Sequence, residues 1–174
     1  LAAVEVLSEK TGDFLVMDLT TQRILWRSPI VRAQDATRPR AFIFPDSDRV
    51  FYPDHLARKG FVRTLSSGQL IAEHSLHPIC EAVSPDGSLI AVGSYNGTVT
   101  LLDPKSGSVV QSGKLHPGAI FSVNWTPQKS LITVGAAKQF DDDRFLIAMW
   151  ESKQLNSLGF LFGLPEGAKP LLEY

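Results

Sequence analysis

The sequence predicts an all-β protein, and three observations carry the prediction. The stretch Ser84 to Asp103 reads as turn, strand, turn, strand, with no room for a helix. Pro85-Asp86-Gly87 makes a tight turn, because Pro fixes φ and Gly accepts φ > 0, and Asn96-Gly97 is a hairpin signal between two β-prone runs. The same pattern recurs along the chain at a fixed period. The runs between turns, such as Leu89 to Gly93, are continuously apolar, as befits strands covered on both faces.

The elements follow in order. Ala2 to Leu7 reads as a strand, Met17-Asp18 as the polar end of the next, and Thr20-Thr21-Gln22 as the turn into Ile24 to Trp26. The turn Pro45-Asp46-Ser47 precedes a strand at Arg49 to Pro53, Arg63-Thr64 ends the following one, and Ser67-Gly68 turns into Leu70 to Ala72. Ile79 to Val83, Ser88 to Gly93, Thr98 to Leu102 and Val109 to Val110 repeat the scheme, with Lys105-Ser106-Gly107 as the last turn. Thr126-Pro127-Gln128 then leads into Ser130 to Gly135, Trp150-Glu151 ends a strand, and Lys153 to Asn156 turns into Leu158 to Phe162. The Pro-centred turns fall about 40 and 42 residues apart. Four strands in a period of about 40–45 residues is the arithmetic of a β-propeller blade, which must be sandwiched between neighbours to cover its faces. The expected unit is 1–174, with blades at approximately 1–30, 41–76, 77–115 and 116–163, and 164–174 as a tail or closing strand.

The chain resembles the WD40-repeat family, most clearly from Leu76 to Glu151. Leu76-His77 and Leu115-His116 stand where that family has Gly-His, and Leu102-Asp103 and Trp150-Glu151 where it has Trp-Asp. The resemblance implies structural roles for His77, His116, Ser94, Asn96, Asp103 and Trp150 in buried His–Ser/Thr–Asp–Trp networks. Departures are visible: Leu102 replaces Trp in the third repeat and Ala136 stands at the hydroxyl position of the fourth, so no network is expected to be complete. Met17 to Trp26 is closer to a quinoprotein-like propeller repeat, with Trp26 on the outer strand. That pattern predicts an outer Trp in every repeat, and Ala72-Glu73 and Val110-Gln111 do not supply it.

Composition narrows the function classes. Hydrophobic residues make up 44% and charged residues 20% of the 174, ordinary globular values. A net charge of −1 argues against a dominant nucleic-acid or membrane surface. The single cysteine, Cys80, excludes an internal disulfide and a multi-cysteine metal site, and reads as core packing. No transmembrane run or signal peptide is visible, and the expected location is cytoplasmic. The motifs Gly-x-Ser-x-Gly, His-Glu-x-x-His and the Gly-Lys-Ser/Thr phosphate loop are missing, so no catalytic, cofactor or metal residue is assigned.

Two segments are candidates for partner binding. Lys138 to Arg144 inserts about six residues where the third repeat has only a tight turn, and it carries Phe140 beside Asp141, Asp142 and Asp143. Arg27 to Arg40, the connection between the first two blades, holds Arg38 and Arg40 among four arginines against one Asp. The expected function is therefore a non-enzymatic protein–protein interaction scaffold. A propeller enzyme or ligand-binding domain, and a structural subunit docking through blade faces, remain as alternatives. Four repeats, the first opening on what reads as a second strand, leave three ring arrangements open. The chain belongs to a larger propeller, two copies pair as a homo-oligomer, or Pro170 to Tyr174 supplies the missing inner strand. Glu81 shares a period with Ile79 and Val83 and is expected to face a water-filled channel or a neighbouring Arg.

Overall fold

Gly and polar residues punctuate the strands, and the backbone shows what they are for. The computed structural model describes residues 2–7, 11–31, 41–54, 57–75, 79–138, 141–151 and 156–162, with side chains at 12–29, 41–54, 57–75, 79–137 and 145–151. Among these residues every regular element is a strand. Strands β1 (Ala2–Leu7), β2 (Thr11–Asp18) and β3 (Arg23–Val31) form a three-stranded sheet in that order. Strands β4 (Phe42–Ile43), β5 (Arg49–Asp54), β6 (Lys59–Thr64) and β7 (Leu70–Ser75) form the second sheet. The third consists of β8 (Cys80–Val83), β9 (Ile90–Gly93), β10 (Thr98–Leu102) and β11 (Val109–Lys114). The fourth consists of β12 (Ile120–Trp125), β13 (Ser130–Lys138), β14 (Asp141–Glu151) and β15 (Asn156–Phe162). Within each sheet, chain neighbours pair antiparallel, so every sheet is a simple meander. The expected all-β blade architecture is what the chain adopts.

The repeat is written in the backbone more clearly than in the residue types. Positive φ recurs at Ser47, Gly87 and Lys129, at Arg58 and Gly97, and at Gln22, Gly68 and Gly107. Each set marks the same turn in successive sheets. The first turn is closed by the same bond three times: Ser47 N to Phe44 O at 2.9 Å, Gly87 N to Ser84 O at 2.9 Å and Lys129 N to Thr126 O at 3.0 Å. A second signature is a register shift where the last two strands of each sheet meet. It lies at Val16/Met17, Val62/Arg63, Leu101/Leu102 and Met149/Trp150. The extra residue of each bulge lies on the outer strand, where bulging twists an otherwise free edge away from intruding strands.

The chain divides into two compact units, Leu1–His77 with Pro104–Ser108, and Pro78–Asp103 with Val109–Tyr174. In the first unit an aromatic cluster joins the two sheets. Phe14 stacks on Tyr52 with ring centroids 4.2 Å apart, and Trp26 and Phe61 pack around them. Trp26 donates from Nε1 to Leu65 O at 2.9 Å. Its ring lies over Gly68, where a Cβ would fall 2.7 Å from Cγ of the indole. In the second unit Ala82, Ala91, Val99 and Leu101 of the third sheet pack on Ile120, Val123, Leu131, Ala148 and Trp150 of the fourth. An ion pair ties their equivalent turns: Lys129 Nζ lies 2.7 Å from Asp86 Oδ2. Lysine, helped by the hydroxyls of Ser88 and Ser84, holds the Asp86 carboxyl far below the usual carboxylate range.

Three expectations need correction. Ser88 and Leu89 belong to a turn, not to the strand, because Ser84 N donates to Leu89 O and Leu89 N donates to Ser84 Oγ. Arg27 lies within β3, paired with Leu15, so the first connection begins after Val31. The insertion after Gly135 lengthens a hairpin instead of forming a loop, with pairing carried out to Lys138↔Asp141.

Candidate functional site

His116 precedes β12, in a segment pinned to the third sheet by its own backbone. Its N–H and that of Leu115 both donate to Gly97 O, at 3.1 and 2.8 Å. Gly97 is obligatory here: its φ is +81°, and a Cβ would overlap the His116 carbonyl oxygen. The His116 side chain is 1% exposed and Thr133 is fully buried. His116 Nε2 lies 2.6 Å from Thr133 Oγ1, and Trp150 donates from Nε1 to the same oxygen at 2.8 Å. The imidazole tautomer sets which of Thr133 Oγ1 and His116 Nε2 donates, and the other ring nitrogen is Nδ1. That Nδ1 is buried and has no hydrogen-bond partner among the described residues. Burial pushes the His116 pKa down to about 4, so the ring is neutral at physiological pH.

Sequence reasoning placed His116 and Trp150 in a shared network but assigned its hydroxyl position to Ala136. Thr133 holds that position instead. Ala136 lies beyond Gly135, where the strand must stay bare because a Cβ would meet the His116 ring at 2.6 Å. A polar residue in the apolar run Leu131-Ile132-Thr133-Val134 was the available signal. In the third repeat, Ser94 and Asn96 hold the turn before β10: Ser94 Oγ donates to Asn96 Oδ1, and Thr98 N donates to that oxygen at 3.1 Å. Asp103 follows β10 and is half-buried. Cys80 directs its thiol at the Ile120 carbonyl, 3.4 Å away, and packs against Gly93. Glu81 is buried on β8.

Of the partner-binding candidates, Arg38, Arg40 and Phe140 lie outside the described residues, as do His77 and the segment 163–174. The backbones of Asp141, Asp142 and Asp143 open β14. No group of three or more His, Cys, Asp or Glu side chains among the described residues is placed to hold a metal ion. Among the described residues no helix is long and apolar enough to cross a membrane.

The third sheet and the start of the fourth match a family model described as the WD40 domain of anaphase-promoting complex subunit 4, over residues 80–128. WD repeat-containing protein 1 of Gallus gallus is 33% identical over 63 residues, which cover 34% of this chain and 10% of that protein. The Xenopus tropicalis protein of the same name is 37% identical over 59 residues, 32% of this chain and again 10% of its own length. The chain thus matches only about a tenth of these relatives. Among solved structures, Kuenenia stuttgartiensis hydrazine synthase superposes with a TM-score of 0.66 at 16% identity. The superposition covers 88% of this chain and 43% of that one, and at this identity the likeness is one of fold. The meander sheets, the His–Thr–Trp network and these matches make the chain similar to WD40-repeat β-propeller proteins, with the sequence likeness confined to about a third of its length.

Proposed function

We propose that the chain is a non-enzymatic protein-interaction platform whose connecting segments engage a partner protein. The observation that carries this reading is the fixed geometry of its turns. Ser94 O accepts from both Gly97 N and Ile120 N, and Gly97 O accepts from both Leu115 N and His116 N. Segments held this firmly lose little entropy on binding. WD40 repeats typically mediate protein–protein contacts, and the family model that matches is named for a subunit of a complex. The proposed contact residues are Arg38 and Arg40 before β4, and Phe140, Asp141, Asp142 and Asp143 at the extended hairpin. The proposed partners are other protein chains or further blades of a larger propeller, and the proposed compartment is the cytoplasm.

The test is co-purification with quantitative mass spectrometry. The tagged chain is compared with an Arg38→Glu/Arg40→Glu variant and with one carrying Asn at 141–143. A partner recovered with the wild type and depleted about tenfold with one or both variants, at unchanged melting temperature, is the expected result. Equal recovery with all three chains sinks the reading.

A second reading, a structural subunit that docks through its sheet faces, rests on one observation. The third sheet turns Ala91, Val99 and Leu101 into the core against the fourth. The positions in step with them on the fourth sheet, Ile132, Ile147 and Met149, are apolar and only half-buried.

A further inference from the structure

The turn between β9 and β10 places Asn96 directly before Gly97. In an Asn-Gly pair the backbone nitrogen of glycine is well placed to attack the preceding side chain, because glycine puts no side chain of its own in the way. In that reaction Gly97 N loses its proton and bonds to Asn96 Cγ, the Cγ–Nδ2 bond breaks, and ammonia leaves. Water then opens the cyclic imide at either carbonyl. One opening gives aspartate, and the other gives isoaspartate, in which the main chain runs through the side-chain carbon. The other two asparagines of the chain precede Trp125 and Ser157. Asp86-Gly87 has the same backbone freedom. Lys129 Nζ at 2.7 Å and the hydroxyls of Ser84 and Ser88 hold its carboxyl ionised, however, and a carboxylate resists a nucleophile. Asn96 carries a neutral amide and is exposed.

The folded turn keeps the reacting atoms engaged elsewhere. Asn96 Oδ1 accepts from Ser94 Oγ at 2.5 Å and from Thr98 N at 3.1 Å, which ties the amide toward Thr98. Gly97 N donates to Ser94 O at 3.2 Å. Cyclisation requires the amide to leave both donors and Gly97 N to leave Ser94 O, so it waits for the turn to open. The two products then differ in fit. Aspartate offers an oxygen to the same two donors, with bonds strengthened by charge. Isoaspartate adds a main-chain atom inside a turn closed by Gly97 N to Ser94 O and Ser94 N to Thr98 O. That extra atom displaces Gly97, whose carbonyl oxygen accepts from Leu115 N and His116 N, and nothing in so close an approach leaves room for the shift.

We propose that Asn96 is a site of spontaneous deamidation gated by opening of the β9–β10 turn, and that its isoaspartyl product unfastens the Leu115–His116 segment from the third sheet. The proposal stands independently of the platform reading. The full chain is incubated in mildly alkaline buffer beside a linear peptide of residues 93–101. Position 96 is followed by mass spectrometry, with fragmentation that separates isoaspartate from aspartate. Conversion is expected at position 96 and not at Asn124, at less than about a tenth of the peptide's rate. Ser94→Ala removes one donor to Oδ1 and should speed conversion on the order of fivefold. In the unsubstituted chain the rate should rise with low urea in step with hydrogen exchange at the Gly97 amide, a reading that does not depend on how the variant folds. The isoaspartyl fraction, isolated by chromatography, should exchange the Leu115 and His116 amides about tenfold faster than the unmodified chain. Asn96→Asp, the other product, should keep them protected. Conversion as fast as in the free peptide, or none while the Gly97 amide exchanges, overturns the gated site. Unchanged protection of Leu115 and His116 in the isoaspartyl form overturns the unfastening.

Discussion

Thr133 serves two partners with one hydroxyl, accepting from Trp150 and bonding His116, at a position with no exposed surface. Thr133→Val keeps the shape and removes both bonds, so it should destabilise the fold by roughly 2–3 kcal/mol, whereas Thr133→Ser should cost less. Urea denaturation of the two variants measures the difference. The neutral state of His116 adds a pH dependence. Its folded pKa is depressed to about 4 from 6.5, so the unfolded chain takes up a proton first as pH falls. Stability from this residue is therefore fully present above about pH 6.5, declines toward pH 4 and levels off below that, for a loss on the order of 3 kcal/mol. A His116→Asn variant should be less stable at pH 7 and should lack that part of the slope. An unchanged acid profile in that variant would show that other groups govern it.

At the scale of elements, the turns show how a repeat survives divergence. Ser47, Gly87 and Lys129 share a left-handed conformation although only one of them is Gly. A side chain there costs about 1–2 kcal/mol, so Ser47→Gly should stabilise by up to about 1 kcal/mol once the added flexibility of the unfolded chain is set against it. Gly87→Ala should destabilise by a similar amount, and paired thermal melts read both signs. Gly68 answers to a second constraint as well. Its Cβ would fall 2.7 Å from the Trp26 indole, so Gly68→Ala must displace that ring from the Phe14–Tyr52 stack. A loss of about 2 kcal/mol, accompanied by a change in tryptophan fluorescence, is expected. The bulge shared by all four sheets has no counterpart in the residue pattern, because an inserted strand residue changes register and not composition.

For the whole molecule, the platform reading and the face-docking reading differ in solution mass. A platform that works through its connecting segments should keep a constant mass by light scattering across a concentration series. Mass rising with concentration, and suppressed by Ile147→Asp, would favour docking through the fourth sheet's outward face. That variant is informative because Ile147 is half-buried on the face opposite the core, where an added charge costs little in the isolated chain. Repeat architectures make such end faces by construction, since each sheet is covered by its neighbours.

The sequence by itself determined the strand-and-turn alternation, the period and the Pro- and Gly-marked turns. These are local or periodic properties, and turn chemistry writes them directly into residue types. Tertiary structure alone decided the rest. The inserted segment extends a hairpin because its ends continue an existing ladder from Ala136↔Phe145 to Lys138↔Asp141. Thr133 takes the hydroxyl role because strand register, not proximity to a motif, decides which side chain reaches His116. Phe121 joins Phe145 because a single-residue bulge turns it outward. Each of these depends on which residue lies opposite which across a sheet, and spacing along the chain does not specify that.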